Sequence, residues 1–306
     1  MHPRLYTHPA CLRHAPGPGH PESPTRLQAV LDALDQDRFA ALDRIEAPRA
    51  TRAQLERVHT PALIDRIHAA TPTEGHVHLD ADTAMSPDSL EAALRAAGAI
   101  CAAVDAVLDG TATRAFCAVR PPGHHATRDT AMGFCLFNNV AVGAAHALAR
   151  GLKRVAIVDF DVHHGNGTQD IFWSDSRVLY ASTHQSPLFP DTGAAEETGV
   201  GNIVNAPLPP AASSFEFREI CRHVVLPAVE RFRPQLVLIS AGFDAHYLDP
   251  LANLNLGAPD YDWITRELVD IAHRHARGRV ISSLEGGYSP TALRQSTAAH
   301  VAALID

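Results

Sequence analysis

Five short apolar runs recur along the chain: AFCAV (115–119), RVAIVDF (154–160), RVLYAS (177–182), QLVLISAGF (235–243) and RVISSL (279–284). A strand that is apolar on both sides must be covered on both faces. Chains that alternate such strands with helices build mainly parallel sheets in α/β folds. The segments between the runs read as helices near 138–150, 213–233, 259–277 and 290–305. Earlier helices are expected over 23–36, with Ser23 in the capping position and Pro24 in the first turn, over 51–70 with a break near Pro61, and from Ser86 to Gly110. The proline-rich APLPPAASS (206–214) reads as a surface connection, and no repeat, low-complexity stretch or linker interrupts the alternation. Residues 1–306 are therefore expected to form one domain.

Composition narrows the possible partners. Lys+Arg number 26 against 34 Asp+Glu, a formal net charge of −8, and no basic run occurs, which argues against a nucleic-acid surface. The five cysteines (Cys11, Cys101, Cys117, Cys135, Cys221) include no C-x-x-C pair and read as reduced thiols. MHPRLYTHPACLRH lacks the apolar core of a signal peptide, and no stretch approaches the ~20 apolar residues of a membrane span, so a cytoplasmic protein without membrane attachment is expected.

In parallel sheets, ligands bind beyond the carboxyl ends of the strands. Four of the five runs lead there into glycine-rich polar loops: RPPGHHA (120–126), DVHHGNG (161–167), AGFDAH (241–246) and EGGY (285–288). Within VAIVDFDVHHGNGTQ, Asp159, Asp161 and His163 occupy every second position, so they share one side of an extended segment while His164 points away. Unpaired carboxylates at the end of an apolar strand are costly, and a divalent cation is the natural compensation. Asp161 and His163, joined by Asp244, would make three protein ligands with an open position, the catalytic pattern for zinc; two carboxylates and an imidazole also suit iron(II) or manganese(II). An isolated D-x-H pair is more often a solvated loop. Four polar loops gathering at one sheet edge weigh against that here.

The pair His124 and His125 follows two prolines and a glycine, and two adjacent imidazoles can divide acid and base work near neutral pH. Asp159 and Asn166 are natural hydrogen-bond partners behind them, because a carboxylate stabilises an imidazolium whereas an amide leaves its histidine less basic. Tyr288, after EGG, sits where its hydroxyl can donate to a developing oxyanion, with a buried structural tyrosine as the alternative. Phe134 and Phe189 are candidates for an apolar tube, although a lone phenylalanine is usually core.

Together RPPGHHA, GFCLFNNVAVGAA, VDFDVHHGNGTQ, STH, SAGFDAH and LEGGY resemble the zinc-dependent histone deacetylase family, which includes acetylpolyamine amidohydrolases and bacterial histone deacetylase-like amidohydrolases. The likeness runs from HPACLRHAPGPGHPESPTRL (8–27) to LEGGYSP (284–290), and DVHHGNGTQ and LEGGY are closest to the class II branch and its bacterial relatives. The resemblance implies an arginase-like fold with a central eight-stranded, mainly parallel sheet flanked by helices, and it implies amide hydrolysis. By the same resemblance Asp161, His163 and Asp244 match the zinc ligands, His124 and His125 the histidine pair, and Tyr288 the tyrosine that polarises the carbonyl. Phe134 and Phe189 match the channel walls, Gly133 the residue beneath the acyl chain, and Asp82, by position, the rim aspartate that holds a substrate backbone. The family's structural potassium site maps to Asp159, Asp161, His163, Ser182 and Thr183.

Leu251 falls where a glutamate attracts cationic acetylpolyamines in some members, and a leucine there is typical of branches that accept acyl-lysine. N-acetyl-lysine in a peptide or protein is thus the expected substrate, with acetylpolyamines as the alternative because an acidic chain can steer them. A non-catalytic acyl-lysine binder would be expected to have lost a ligand or the tyrosine, and a two-manganese ureohydrolase would need further ligands in the same loops. The 8–27 loop is expected to shape the channel mouth, and assembly into a homo-oligomer would reshape that rim.

Overall fold

The structure, a computed structural model, describes residues 2–306. Its strands are, in chain order, β1 (Arg4–Thr7), β2 (Asp43–Glu46), β3 (Val77–His78), β4 (Ala84–Met85), β5 (Arg114–Cys117), β6 (Val155–Asp159), β7 (Val178–Gln185), β8 (Ile203–Leu208), β9 (Leu236–Ala241) and β10 (Val280–Leu284). Eight of them form one sheet in the order β2-β1-β5-β10-β9-β6-β7-β8, and every neighbouring pair in it is parallel. β3 and β4 make a separate antiparallel pair.

The connections explain how both faces are covered. The chain passes from β5 to β6 in one direction through the helix Asn139–Ala149, and from β9 to β10 in the opposite direction through the helix Ala258–His275. Parallel crossovers are nearly always right-handed, so opposite directions of travel put these two helices on opposite faces. Every residue of β5, β6, β9 and β10 is consequently buried, which is why those four strands read as unbroken apolar runs. One continuous core runs through both layers.

The expected boundaries shift where local chemistry overrides periodicity. The helix expected from Ser86 begins at Ser89: Pro87 disfavours helical backbone at Ser86, and the Ser86 amide is satisfied by the Ser89 hydroxyl. Ser23 does hold the N-cap position of Pro24–Leu34, but its hydroxyl bonds Thr25 and does not cap the backbone. The 51–70 region is divided into Arg52–Leu55 and Pro61–Ala69. The helix expected over 213–233 is broken into Ser214–Ile220, a π-turn at Cys221–Val225, and Leu226–Phe232. Pro227 has no amide to donate, and its ring crowds the preceding turn, so the helix widens there.

APLPPAASS is not simply a connection, since residues 206–208 complete β8, with Pro207 opposite His184. Proline is tolerated there because β8 is the outer strand of the sheet. β1 and β2 also lie outside the five apolar runs. All five cysteines are free and buried, and no helix among the described residues is long and apolar enough to cross a membrane.

A buried ionic cluster ties the start of the chain to the end of the sheet. Glu22 accepts from Arg26 at 2.8 Å and from both ends of the Arg120 guanidinium, while Arg26 also donates to the carbonyls of Glu285 and Gly287, at 2.5 Å each. Burial alone would raise the Glu22 carboxyl, but the charge of Arg120, the contact with His14 and the charge of Arg26 hold it well below its ordinary value. Glu22→Gln strands two buried guanidinium groups and is expected to cost about 3–5 kcal/mol in urea unfolding at neutral pH. Because the folded-state pKa is depressed, this contribution is fully present above the ~4.3 of an unfolded glutamate and drains away as pH falls through the folded value. The gap between the two proteins should narrow on acidification; a constant gap from pH 7 to pH 3 would contradict this assignment.

Candidate active site

The carboxyl ends of β5, β10, β9 and β6 lie side by side at the centre of the sheet and deliver the four polar loops to one place. Asp161 and His163 leave the end of β6, and Asp244 follows β9. Their ligand atoms lie within 4.8 Å of one another, and all three side chains are buried. His163 Nδ1 is 3.2 Å from Asp161 Oδ1 and 3.2 Å from Asp244 Oδ2, so one imidazole nitrogen and two carboxylate oxygens face a common point. The outward oxygens are already held: Asp244 Oδ1 accepts from the Val162 amide at 2.8 Å, and Asp161 Oδ2 from the Gly286 amide at 2.8 Å. Gly286 is required by space, because a Cβ there would sit 2.1 Å from Asp244 Oδ2. Burial, and then the neighbouring charge of Asp161, push the Asp244 carboxyl upward. Two buried carboxylates repelling each other around an imidazole suit a divalent cation with mixed nitrogen and oxygen preference.

The two histidines of RPPGHHA are held by different partners. His124 Nδ1 lies 3.0 Å from Asp159 Oδ2, whereas His125 Nδ1 lies 2.8 Å from Asn166 Oδ1. Burial disfavours charge on both. On His124 the carboxylates of Asp161 and Asp159 outweigh it and raise the pKa to about 10; on His125 burial and the charges of His124 and His163 act together and press it well below 6.5. The rings are 4.0 Å apart between centroids, so one charged and one neutral imidazole stand side by side. Glu285 fixes their loop by accepting from the amides of Gly123 at 2.6 Å and His124 at 3.2 Å.

A 250 Å³ cavity opens above this cluster, lined by Asp82, His125, Gly133, Phe134, His163, Leu188, Phe189, Leu251 and Tyr288. Gly133 and Phe134 both take left-handed backbone, φ 56° and 67°, and a Cβ at Gly133 would lie 2.5 Å from His125, so the turn needs a residue without one. Phe134 is fixed further by Thr83, whose hydroxyl accepts its amide at 3.1 Å. The Phe189 ring meets His125 edge-on at 5.1 Å. Tyr288 is held through its backbone, the amide donating to Asp249 Oδ2 at 2.7 Å while Arg26 lies 4.8 Å from its ring centroid. Its hydroxyl makes no hydrogen bond to a described residue, and burial, as the first cause, pushes its pKa well above 10, so it is a donor across the neutral range.

The histidine, aspartate and tyrosine loops are diagnostic of one family, and comparison with known proteins agrees: the histone deacetylase domain profile matches residues 20–304. The chain belongs to the histone deacetylase family. A histone deacetylase-like amidohydrolase of Pseudomonas aeruginosa is 41% identical over 303 residues, covering 91% of this chain and 80% of that protein. A probable deacetylase of Archaeoglobus fulgidus is 39% identical over 289 residues, covering 92% and 80%. The crystal structure of the HDA15 HD domain superposes with a TM-score of 0.95 at 35% identity, covering 100% of this chain and 89% of that one. The deacetylase fold and an amidohydrolase activity of the deacetylase type follow from this membership.

This histone deacetylase-family site gathers Asp159, Asp161, His163, Asp244, His124, His125, Asn166 and Tyr288 in one region, and Gly133, Phe134, Phe189, Leu251 and Asp82 all line its cavity. Ser182 lies opposite Asp159 in the β6–β7 register, with Thr183 next to it. Leu188, Glu285, Asp249 and the Glu22 cluster do not emerge from sequence reasoning. Glu285 carried a signal, as a lone acid at the end of an apolar strand beside Gly-Gly.

Proposed function

We propose that the protein is a zinc-dependent amidohydrolase that removes acetyl or other short acyl groups from N-acyl-lysine side chains. What carries this reading is the convergence of three ligand atoms at the base of a cavity walled by Phe134, Phe189, Leu188 and Leu251, with His125 and Tyr288 beside them. The donor set fits zinc, which when bound by Asp161, His163 and Asp244 would supply a Lewis acid for the scissile carbonyl and acidify a water molecule.

The protein's own groups supply the rest. Because Asn166 Oδ1 can only accept, His125 carries its proton on Nδ1, leaving Nε2 as the base that takes a proton from the attacking water and returns it to the leaving amine. His124, kept charged by Asp161 and Asp159, holds positive potential beside His125. Tyr288 donates to the oxygen that gains negative charge as the carbonyl is attacked. The apolar walls accept the methylene stem of a lysine, and Asp82 at the mouth is positioned to accept amides of a peptide backbone.

A structural potassium ion fits the loop after β6. The main-chain oxygens of Asp161 and His163 accept no hydrogen bond from a described residue, and Asp159, Ser182 and Thr183 stand alongside. We read residues 1–306 as a single catalytic domain, a reading supported by the continuous core, and the five free, buried cysteines support a reducing compartment such as the cytoplasm.

Steady-state hydrolysis of acetyl-lysine and trifluoroacetyl-lysine peptides, acetylputrescine and acetylspermidine by the zinc-loaded enzyme tests this. Higher kcat/KM on the peptides is expected, and a preference for the acetylpolyamines would overturn the substrate assignment. Leu251→Glu adds a carboxylate to the cavity wall. It should shift relative kcat/KM towards acetylspermidine by roughly tenfold, about 1.4 kcal/mol, between the ~1 and ~4 kcal/mol limits for a charge pair in water and near a protein surface. An unchanged ratio would show that Leu251 does not face the amine end of the substrate.

A further inference from the structure

The opposite edge of the sheet, where the strands begin, carries a second polar cleft. It has a volume of 430 Å³ and is lined by Leu152, Arg154, Gln235, His275, Ala276, Arg277 and Arg279. Three arginines, Arg154 and Arg277 exposed and Arg279 partly buried, therefore line one cleft with no carboxylate among its lining residues. Arg154 gives its Nε to the Arg233 carbonyl at 2.9 Å, keeping its terminal nitrogens, and none of Arg154, Arg277 and Arg279 forms a salt bridge among the described residues. Glu230, which contacts the lining residue His275 at 2.7 Å, is shared with Arg274 at 2.8 Å. Gln235 adds to the imbalance: its oxygen accepts from the amides of Lys153 at 2.6 Å and Arg154 at 3.2 Å, so its NH₂ is the end left to face a ligand.

The backbone departs from its easy conformations to build this wall. After the helix Ala258–His275, Arg277 takes φ 57° and Gly278 φ 75°, closing a tight turn in which the Arg279 amide donates to the Ala276 carbonyl at 3.1 Å. Arg277 occupies the left-handed position that commonly ends a helix, one that suits glycine or asparagine better than arginine. Burial, followed by the charge of Arg277, lowers the pKa of Arg279, as expected of like charges held close without a counter-ion. In a chain of net charge −8, a donor-only cleft with three arginines is a strong local exception.

We propose that this cleft is a binding site for a small anion bearing a phosphate group, separate from the deacetylase channel. Guanidinium forks match phosphate oxygens in pairs, and the Gln235 amide offers a neutral donor to a third. The volume accommodates a phosphomonoester as well as free phosphate.

The test is calorimetric titration of the zinc-loaded protein with inorganic phosphate and, in parallel, adenosine monophosphate at matched ionic strength. One saturable site per chain is expected, with affinity falling at least tenfold in both Arg277→Gly and Arg279→Gln. Tighter binding of the nucleotide would identify a phosphorylated metabolite, and equal affinity would identify free phosphate. Arg277→Gly relieves the left-handed strain, so its Tm should be no lower than wild type, and its loss of binding cannot then be attributed to unfolding. Absence of saturable binding, or binding undiminished in both arginine variants, overturns the proposal. Binding that disappears in His163→Ala but survives in the arginine variants would place phosphate at the carboxylate cluster and overturn it equally.

Discussion

Replacing His163 with alanine is expected to abolish stoichiometric zinc binding and to lower deacetylation by three or more orders of magnitude. Its Nδ1 is the atom that faces both Asp161 and Asp244 at 3.2 Å. Without it, two carboxylates remain to hold the ion, one fewer protein ligand than a catalytic zinc site ordinarily uses. The Lewis-acid contribution of a bound ion amounts to several kcal/mol of transition-state stabilisation, and each ~1.36 kcal/mol is a decade in rate. Metal content by elemental analysis and single-turnover hydrolysis of an acetyl-lysine peptide measure the two consequences independently. Wild-type chelated and then reloaded with zinc should recover its rate, and a His163→Ala protein that keeps both zinc and turnover would remove His163 from the ligand set.

Tyr288→Phe should lower kcat by roughly two to three orders of magnitude, the usual effect of deleting one oxyanion donor, with little change in KM. The substitution keeps the ring over which Arg26 lies at 4.8 Å and the backbone bond to Asp249, so the loop retains its anchors. Only the hydroxyl is lost, and that hydroxyl has no structural partner among the described residues to lose with it. An interaction made only in the transition state lowers kcat and kcat/KM together. A rise in KM at constant kcat would instead mean that Tyr288 holds the ground-state carbonyl.

Much of the site is legible because strand geometry converts sequence spacing into direction. Asp161 and His163 are two residues apart after a buried run, so they point the same way, and the partners of His124 and His125 follow from the chemistry of a carboxylate and an amide. The rest depends on contacts that no local pattern announces. Glu22 reaches Arg120 across 98 positions, and its loop reads only as a channel rim. β2 is largely exposed, β8 contains proline, and the helix Asn166–Phe172 is seven residues long with a glycine in it, so none of the three shows the periodicity by which elements are recognised. Phe134 owes its place on the wall to a left-handed turn packed against Thr83, a feature of the fold and not of its neighbours in sequence.

The strand order also determines when the two halves of the site are locked in register. β10 lies between β5 and β9, and without it the sheet separates into β2-β1-β5 and β9-β6-β7-β8, two halves with no strand pairing between them, although the Gly167 and Thr168 amides still donate across to the His124 carbonyl. The histidine pair belongs to one half and the three acidic and imidazole ligands to the other, so neither half alone brings base and ligands together. A chain emerging from the ribosome has therefore made nearly all of its catalytic side chains before the central strand locks the two halves in register, and that strand brings Tyr288 directly behind it.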